Sequence, residues 1–417
     1  MDFVDLERAL RIGQEVVESV DWIEAGTPLI KACGMDAVRA LKKQFPAKKI
    51  VADLKIADTG DIETEIAAKA GADIVTVLGT SDDQTIIHAV ETAKNFGCRI
   101  MVDLLNVKDV ESQARRAEEL GADYVMVHTG IDQQMVGMDV FTDLRRVVGS
   151  VSIPVAVGGG LTLDNAARAI EDGGEILIVG GAITKAPDAA GVAKRFKKLI
   201  QNPKILAKAG EKKSQTIEEI LAQVSTSNVS DAMHRKGEMH GLKPIFIEDK
   251  FYGKAFTVRA YPGDWSKTVQ SIDSAEKGDV IVIDAHASRA ALWGELATRS
   301  ALLKGIAGLV IDGAVRDVEE IRKLRFPVFA RYISPAAGEP KGMGEMCIPI
   351  KCGGIEVNPG DYILADQDGV VVIPEKRALE IAKRALYVKE KEDRVKKEIQ
   401  DGRTLGRILE LQKWEKV

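Results

Sequence analysis

The sequence predicts an α/β protein of two domains, the first of them a (β/α)8 barrel. Short apolar runs recur through the first half at about the length of one βα unit, and helix-like segments lie between them. Several of these segments end at a glycine break, such as residues 71–73 and 121–123. Strands that alternate with helices favour a parallel sheet, most simply a barrel, with a doubly wound open sheet as the alternative. The runs are residues 22–25, 50–53, 74–78, 100–104, 124–128, 154–157 and 176–179.

Length and composition limit the class of protein. At 417 residues the chain exceeds one ordinary core, and its 45% hydrophobic and 29% charged residues are typical of a globular protein. A net charge of −5 argues against nucleic-acid binding. No stretch reaches the roughly 20 apolar residues of a membrane span, and the acidic start does not resemble a signal sequence, so we expect a cytoplasmic protein. The cysteines cannot form a zinc site by spacing and are expected to be reduced packing residues: Cys33, Cys98, Cys347 and Cys352.

The first barrel strand is the uncertain element. The runs above supply seven strands, whereas a (β/α)8 barrel needs an eighth before the first amphipathic helix, which begins near Leu6. We therefore expect that the first strand is missing or truncated, or that the true start lies upstream.

Ionisable residues follow the apolar runs at their carboxyl ends, where barrel enzymes place their chemistry. Asp53 and Lys55 share one side of a strand by its alternation, and Asp58 falls in the following loop. Glu24 and Asp53 are hard oxygen ligands suited to Mg2+ (or Mn2+), and Lys55 could steady an oxyanion. His128 could carry a proton. Surface ion pairs and a hydrogen-bonded structural histidine are the alternatives.

Two glycine clusters follow the last two runs. Glycine lets the backbone approach a ligand, and in barrels this pair of loops commonly binds phosphate. The clusters therefore predict a phosphorylated small molecule, held by Gly159, Gly160, Gly180 and Gly181.

These motifs together resemble the 3-hexulose-6-phosphate synthase family of the orotidine-monophosphate decarboxylase suprafamily. The resemblance covers about residues 2–200 and rests on Asp53-x-Lys55-x-x-Asp58 with residues 24–28, 127–130 and 179–181. It implies a Mg2+-dependent aldol reaction that joins formaldehyde to ribulose 5-phosphate to give hexulose 6-phosphate, and its reverse.

The resemblance also implies roles for individual residues. Glu24 and Asp53 would bind the metal, Lys55 would steady an enediolate and His128 would move the C1 proton. Asp58 would reach across a dimer interface, and Asp2 corresponds to the aspartate that ends the first strand in the family. Related sugar-phosphate decarboxylases place an arginine just after the histidine, whereas this chain has Thr129 and Gly130 there, which favours the synthase.

A second domain follows a polar, basic linker. Its densest feature is an apolar run that ends in a glycine turn followed by Arg316 and Asp317, with Glu320 three residues further on. The planar guanidinium of Arg316 could donate two hydrogen bonds to a carboxylate, and Asp317 could ligate a divalent cation. An ordinary ion pair or a helix-capping aspartate is an equally open alternative.

With residues 293–298 and 366–372, this pattern resembles the family of the regulator of ribonuclease activity A and the metal-dependent 4-hydroxy-4-methyl-2-oxoglutarate aldolases. The resemblance implies a three-layer β/β/α domain that assembles as rings of three. In the aldolases Arg316 would bind the carboxylate of pyruvate or another 2-oxo acid, Asp317 would hold the metal, and Glu295 and Glu320 would complete the site. The regulators act by binding a ribonuclease instead.

The predicted domains are residues 1–203 for the barrel, 204–215 for the linker, 216–375 for the second domain and 376–417 for a solvated helical tail. A homo-oligomer is expected, with dimers through the barrel and trimers through the second domain. Three functions remain open: a synthase with a second metal-dependent lyase, a synthase with a regulatory or assembly module, and a sugar-phosphate decarboxylase.

Overall fold

The computed structural model describes residues 1–130, 133, 140–202, 215–409 and 411. The chain divides into a barrel unit (Met1–Lys213 with Asp393–Val417) and a second unit (Ser214–Glu392). The predicted linker at 204–215 lies outside the described residues except for its last residue. No helix in the described part of the chain combines the length and apolar character needed to cross a bilayer.

The barrel unit is a parallel sheet of seven strands in sequential order, interleaved with helices, and it is barrel-like. The predicted barrel class is confirmed. The doubly wound alternative is wrong, because the strand order of a doubly wound sheet reverses at a switch point, whereas the order here runs from β1 to β7 without reversal. The strands are β1 Trp22–Ala25, β2 Lys49–Ile56, β3 Ile74–Leu78, β4 Arg99–Asp103, β5 Tyr124–His128, β6 Val155–Gly158 and β7 Ile176–Ile178.

The helices of this unit bury one apolar face against the sheet. In α5, for example, Ile86, Ala89, Val90 and Ala93 recur at helical spacing and are buried. The helices are α1 Leu6–Val16, α2 Thr27–Cys33, α3 Asp36–Gln44, α4 Gly60–Lys69, α5 Asp83–Phe96, α6 Val110–Glu119, α7 Phe141–Val148, α8 Ala166–Glu171, α9 Gly181–Thr184 and α10 Ala189–Gln201.

Met1 lies beside β1, where the predicted first strand would be. Its amino group donates to the carbonyl of Glu24 at 2.7 Å, and its own carbonyl accepts from the amide of Gly26 at 3.3 Å. The chain start is therefore held by main-chain hydrogen bonds next to the carboxyl end of β1.

The second unit contains a mixed sheet of eight strands. Strands β9, β10, β11 and β12 are parallel neighbours, and antiparallel strands flank them. This mixed sheet with its helices confirms the α/β class predicted for the second domain, for which a three-layer β/β/α arrangement was expected. Its strands are β8 Lys243–Phe246, β9 Phe251–Ala260, β10 Val280–Trp293, β11 Gly308–Val315, β12 Val328–Ile333, β13 Gly344–Met346, β14 Ile350–Cys352, β15 Ile355–Val357, β16 Tyr362–Asp366 and β17 Gly369–Ile373.

Its helices are α11 Ile217–Leu221, α12 Thr226–Ala232, α13 Ser266–Ser274, α14 Glu295–Lys304 and α15 Val318–Lys323, followed by α16 Ala378–Gln400, while α17 Leu405–Ile408 belongs to the barrel unit. The division between the two units falls within α16. The predicted C-terminal helix is confirmed, but it is not simply solvated. Ala378, Ile381, Ala382 and Ala385 are buried in the second unit, and Arg394 and Glu398 are buried in the barrel unit.

All four cysteines are free, as predicted, and Cys98 and Cys352 are buried. The prediction of a packing role is wrong for Cys347, which is exposed; it directly follows β13, a three-residue strand that lies off the main strand order and pairs with β9.

Candidate active site

Three strands of the barrel unit bring a chain of four charged or titratable side chains together. The ammonium of Lys55 lies 2.7 and 2.8 Å from the two carboxylate oxygens of Asp53, and 3.2 Å from Oδ2 of Asp103. The same Asp103 oxygen lies 2.9 Å from Nδ1 of His128. These residues come from β2, β4 and β5, so the predicted gathering of Asp53, Lys55 and His128 at the strand ends is observed.

Lys55 reaches Asp53 through a bulge rather than by regular strand alternation. The pairing of β2 with β3 shifts between Ala52 and Ile56, and Lys55 has a positive φ of 53°. Its amide donates to Oγ1 of Thr76 at 3.0 Å, and that hydroxyl in turn donates to Asp53. Thr76 therefore fixes both residues, a role the sequence did not indicate because a buried threonine in a strand looks like ordinary packing.

The surroundings of Asp53, Lys55 and His128 favour the charged forms of these three side chains. Burial raises the pKa of Asp53, but the charge of Lys55 and hydrogen bonds from Lys55, Thr27 and Thr76 outweigh it and hold the pKa low. Burial likewise opposes the charge on Lys55, yet Asp53 and Asp103 raise its pKa. For His128, burial lowers the pKa, and the hydrogen bond and charge of Asp103 reverse this, so the net shift is upward.

Asp103 is the central residue that the predicted set of site residues lacks. It is completely buried, and its second oxygen accepts a hydrogen bond from the amide of Leu105 at 2.9 Å. The available signal was its position at a strand end, the same signal that pointed to Asp53.

Glu24 lies at the end of β1, beside the linked side chains that begin with Asp53 and Lys55. Burial and the negative charges of Asp53 and Asp2 raise its pKa to about 7. Among the described residues, no side chain or amide donates a hydrogen bond to its carboxylate. The charges of the N-terminal ammonium and Lys55 offset this effect only in part, and a buried carboxylate without a hydrogen-bond donor is costly unless a cation joins it.

Glu24 and Asp53 therefore fit a divalent cation, which would bind mainly through Glu24. The oxygens of Asp53 already accept from Lys55, Thr27 and Thr76, so Asp53 could only share its remaining lone pairs. No group of three or more His, Cys, Asp or Glu side chains gathers at metal-binding spacing in the described residues. Two carboxylates completed by substrate oxygens are the arrangement that these residues allow.

Asp2 lies between the loops that follow β1 and β7. A Cβ built on Gly26 would lie 2.3 Å from Oδ1 of Asp2, and one built on Gly180 would lie 3.7 Å from Oδ2. Its charge also contributes to the raised pKa of Glu24. The structure thus places Asp2 near the predicted metal ligand and the predicted phosphate loop.

Asp58 is not brought into the chain of Asp53, Lys55, Asp103 and His128. It is exposed, and its carboxylate caps the amide of Thr59 at 2.7 Å, at the start of α4. Within its own chain its carboxylate therefore accepts from the backbone next to it, and in the described part of the chain it forms no hydrogen bond or ion pair with Lys55. Its reach into a partner subunit stays a prediction.

The glycine loops after β6 and β7 have the tight backbone that was expected. Gly159 and Gly160 have positive φ values of 98° and 69°, and a Cβ on Gly159 would lie 2.1 Å from the carbonyl oxygen of Thr129. Gly180 precedes α9, which begins at Gly181, where a Cβ would lie 2.9 Å from Cε of Lys185. A cavity of about 300 Å3 opens beside His128 and is lined by Asn106, Thr129 and Gln133 among others.

In the second unit Arg316 and Asp317 follow β11 and meet the start of α14. Oδ2 of Asp317 accepts from the amide of Glu295 at 3.1 Å and lies 3.5 Å from Nε of Arg316. A Cβ on Gly294 would lie 2.5 Å from the same oxygen and 3.1 Å from Cγ of Arg316, so a larger residue there would displace these two side chains.

The carboxylates of Glu295 and Glu320 are directed elsewhere. Glu295 accepts from Nε of Arg299 at 2.8 Å, and Glu320 accepts from Nζ of Lys323 at 2.8 Å. The predicted cluster therefore contains Arg316, Asp317 and the backbone of Glu295, whereas the two glutamate side chains form ion pairs along their own helices.

Residues 1–196 match the family described as orotidine 5'-phosphate decarboxylase / HUMPS family, and residues 226–372 match the RraA-like family, described as Aldolase/RraA. A 3-hexulose-6-phosphate synthase of Bacillus subtilis is 43% identical over 201 residues, which are 48% of this chain and 96% of that protein. One of Mycobacterium gastri is 39% identical, over 48% of this chain and 97% of that protein. The structure of the RNA-processing inhibitor RraA from Thermus thermophilis is 33% identical, with a TM-score of 0.35 and coverage of 37% of this chain and 94% of that one.

Proposed function

Because the chain belongs, through residues 1–196, to the orotidine 5'-phosphate decarboxylase / HUMPS family and carries an RraA-like domain at residues 226–372, we propose that its barrel is a 3-hexulose-6-phosphate synthase. The barrel is a lyase of the aldol type. Its proposed substrates are ribulose 5-phosphate and formaldehyde, which it joins to hexulose 6-phosphate and releases again in reverse. The observation that carries the proposal is the continuous chain from Asp53 through Lys55 and Asp103 to His128.

His128 is the proposed proton carrier. With Nδ1 held by Asp103, Nε2 of the neutral ring is the free basic atom. It takes a proton from C1 of ribulose 5-phosphate, and the electrons of that C–H bond form the C1–C2 double bond of an enediolate. C1 then attacks the carbon of formaldehyde, and the proton on His128 passes to the new alkoxide.

Lys55 is the proposed stabiliser of the enediolate. Its raised pKa keeps it protonated, and its two anionic partners hold the ammonium at a fixed place. A preorganised cation is worth most where negative charge develops in the transition state, here on the C2 oxygen.

Glu24 and Asp53 are the residues that would hold Mg2+ or Mn2+. Such an ion, when bound, supplies Lewis acidity toward the oxygens of the ketose. The support for it is the raised pKa of Glu24 and the lack of a hydrogen-bond donor to its carboxylate among the described residues. Asp2, next to these residues, would position the substrate.

The phosphate of the sugar is assigned to the glycine loops. Glycine at positions 159, 160, 180 and 181 lets a ligand approach the backbone amides, and at Gly159 the carbonyl of Thr129 leaves no room for a side chain. These loops follow β6 and β7, the last two strands of the sheet.

The deciding experiment incubates the full chain with ribulose 5-phosphate, formaldehyde and Mg2+, and follows formaldehyde consumption together with the hexulose 6-phosphate signals in 13C NMR. Product formation that stops with chelator and returns with Mg2+ supports the proposal. Release of CO2 from a sugar-acid phosphate without formaldehyde consumption would instead identify a decarboxylase.

The second unit is proposed to be a metal-dependent aldolase or decarboxylase for a 2-oxo acid. The supporting observation is the guanidinium of Arg316 beside Asp317, both about half exposed, with the backbone of Glu295 closing one side. Arg316 would bind the substrate carboxylate and Asp317 would hold the ion. Pyruvate release from 4-hydroxy-4-methyl-2-oxoglutarate, lost in Arg316→Ala, tests this; no release by wild-type protein would favour a regulatory or assembly module.

An oligomer is proposed for both units. On α4, which follows Asp58, the side chains of Ile62 and Ile66 are exposed, and on α14 those of Leu296 and Leu303 are exposed. Apolar residues of this kind commonly mark subunit contacts. Light scattering of the full chain measures the assembly, and a monomer at micromolar concentration would contradict it.

A further inference from the structure

The C-terminal segment of the barrel unit (residues 393–409) places a buried arginine beside the loop that follows β7. Arg394, from the last turns of α16, has a side chain that is only 5% exposed. Its Nη1 donates to the carbonyl of Ala186 at 3.1 Å and to that of Pro187 at 3.3 Å. Its Nη2 donates to Oε1 of Glu15 on α1 at 2.8 Å.

The two carbonyls belong to the far end of the phosphate loop, defined here as residues 180–187. Within this loop the amides of Ile183 and Thr184 bond to the carbonyl of Gly180, and the amide of Ala186 bonds to that of Ile183. The loop is thus a continuous hydrogen-bonded turn from Gly180 to Ala186. A shift at Ala186 would be transmitted to Gly180 and Gly181.

Glu398 fixes the segment that carries Arg394. Its buried carboxylate lies 3.1 Å from Nη2 of Arg8 and 3.1 Å from Nη2 of Arg11, both on α1, and it also pairs with Arg403. A buried carboxylate is stable only when it is paired in this way. The cluster ties the C-terminal segment to α1, the helix that follows Asp2, and so leaves Arg394 little freedom.

We propose that Arg394 is a positioning residue for the phosphate loop, so that the C-terminal segment completes the phosphate site of the barrel. The family match at residues 1–196 does not include this segment. The proposal rests on the proposed function in one respect, the choice of ribulose 5-phosphate as the ligand. Arg394 acts through the carbonyls of Ala186 and Pro187 rather than on the substrate itself.

The test compares full-length wild-type protein with Arg394→Met, which keeps a long side chain and removes every donor. We expect the KM for ribulose 5-phosphate to rise about tenfold, since hydrogen bonds from a charged donor are lost, while kcat stays within about twofold. Inhibition by inorganic phosphate should weaken in parallel. Amide hydrogen exchange should become faster in residues 180–187.

Two further variants make the result specific. Arg394→Lys keeps the charge opposite Glu15 but has too few donors in the right places for both carbonyls, so it should recover part of the loss. Arg407→Met makes the same chemical change at an exposed position of the same segment and should leave KM and exchange unchanged. If Arg394→Met does not fold, Arg394→Lys decides by the same measurements.

Unchanged KM and unchanged exchange in a folded Arg394 variant would overturn the proposal. So would a fall in kcat with KM intact, because that is the signature of a role in the chemistry. Should wild-type protein fail to consume formaldehyde, the proposed function is what fails. Two results would then still support the positioning role: faster amide exchange in the Arg394 variants, and loss in these variants of the protection against exchange that inorganic phosphate gives residues 180–187. Their absence would overturn it.

Discussion

The carboxylate of Asp103, which has no exposed surface, lies 2.9 Å from Nδ1 of His128. The same oxygen is 3.2 Å from the ammonium of Lys55. One buried anion thus joins the proposed proton carrier to the proposed stabiliser of the enediolate. It orients the imidazole and keeps both partners cationic to higher pH than they would be alone.

Replacement of Asp103 by Asn should therefore impair catalysis far more than folding. We expect kcat to fall by about 100-fold or more, because general acid–base catalysis by a well-oriented group contributes this much. Steady-state kinetics with ribulose 5-phosphate and formaldehyde provide the measurement. Asp123→Asn is the matched control, because Asp123 lies at the opposite end of β5 and its carboxylate accepts a hydrogen bond from the amide of Ile100. Equal kcat values for the two variants would contradict the assignment.

The activity should rise with pH through the ionisation of His128. Burial lowers the pKa of this imidazole, but Asp103 reverses the shift, so the folded pKa lies above 6.5. The neutral ring is the base, and kcat should therefore increase as pH passes from 6.5 through the raised value. Stability should change in the opposite sense: the contribution of the His128–Asp103 pair is fully present below 6.5 and is lost as pH rises through the folded pKa.

The measurements are kcat and the midpoint of thermal unfolding across this pH window. In Asp103→Asn the ionisation should move to lower pH, because the charge that raises it is gone. A profile of the wild-type enzyme that falls with rising pH over this window would exclude His128 as the base.

Glu24→Gln should weaken the response to the divalent ion. The variant removes the charge of a carboxylate that accepts no hydrogen bond from a described residue, so the concentration of Mg2+ needed for half-maximal activity should rise about tenfold or more. The control is Glu18→Gln, an exposed glutamate just before β1. A Mg2+ titration of both variants gives the answer, and identical midpoints would remove Glu24 from the proposed metal site.

Gly159→Ala should damage the phosphate site and the fold together. The position combines a φ of 98° with a Cβ that would lie 2.1 Å from the carbonyl oxygen of Thr129. Backbone strain and the forced shift together should lower the free energy of unfolding by about 2–3 kcal/mol. Gly97→Ala isolates the strain, because its φ of 74° comes with open space around the Cβ, and it should cost about 1 kcal/mol. Chemical denaturation measures the free energy of unfolding of both variants. An equal loss would mean that the backbone at Thr129 moves aside at no energetic cost.

Much of the barrel site follows from local sequence signals. Apolar runs that end in Asp53, Lys55 and His128 place these residues at one rim, because parallel strands share their carboxyl ends. The bulge that gives Lys55 a positive φ leaves no such signal, since it depends on Thr76 in the neighbouring strand. Asp103 was visible as a strand-end residue, but its pairing with His128 needs the register of β4 and β5.

Other features depend on contacts between distant parts of the chain. Arg394 and Ala186 are 208 residues apart, so a charged helical pattern at residues 376–417 predicts only a solvated helix. The carboxylates of Glu295 and Glu320 have the right type for a metal site, yet Arg299 and Lys323 compete for them at helical spacing. Residue type alone could not determine which partner each carboxylate takes.

The most direct measurement of the central claim is the exchange of the C1 protons of ribulose 5-phosphate in D2O, with Mg2+ and without formaldehyde. If His128 forms an enediolate, 1H NMR should show the wild-type enzyme replacing one C1 proton by deuterium, and His128→Asn should do so at least about 100-fold more slowly. Retention of both C1 protons by wild-type enzyme that still makes hexulose 6-phosphate, or equal exchange by His128→Asn, would contradict the account.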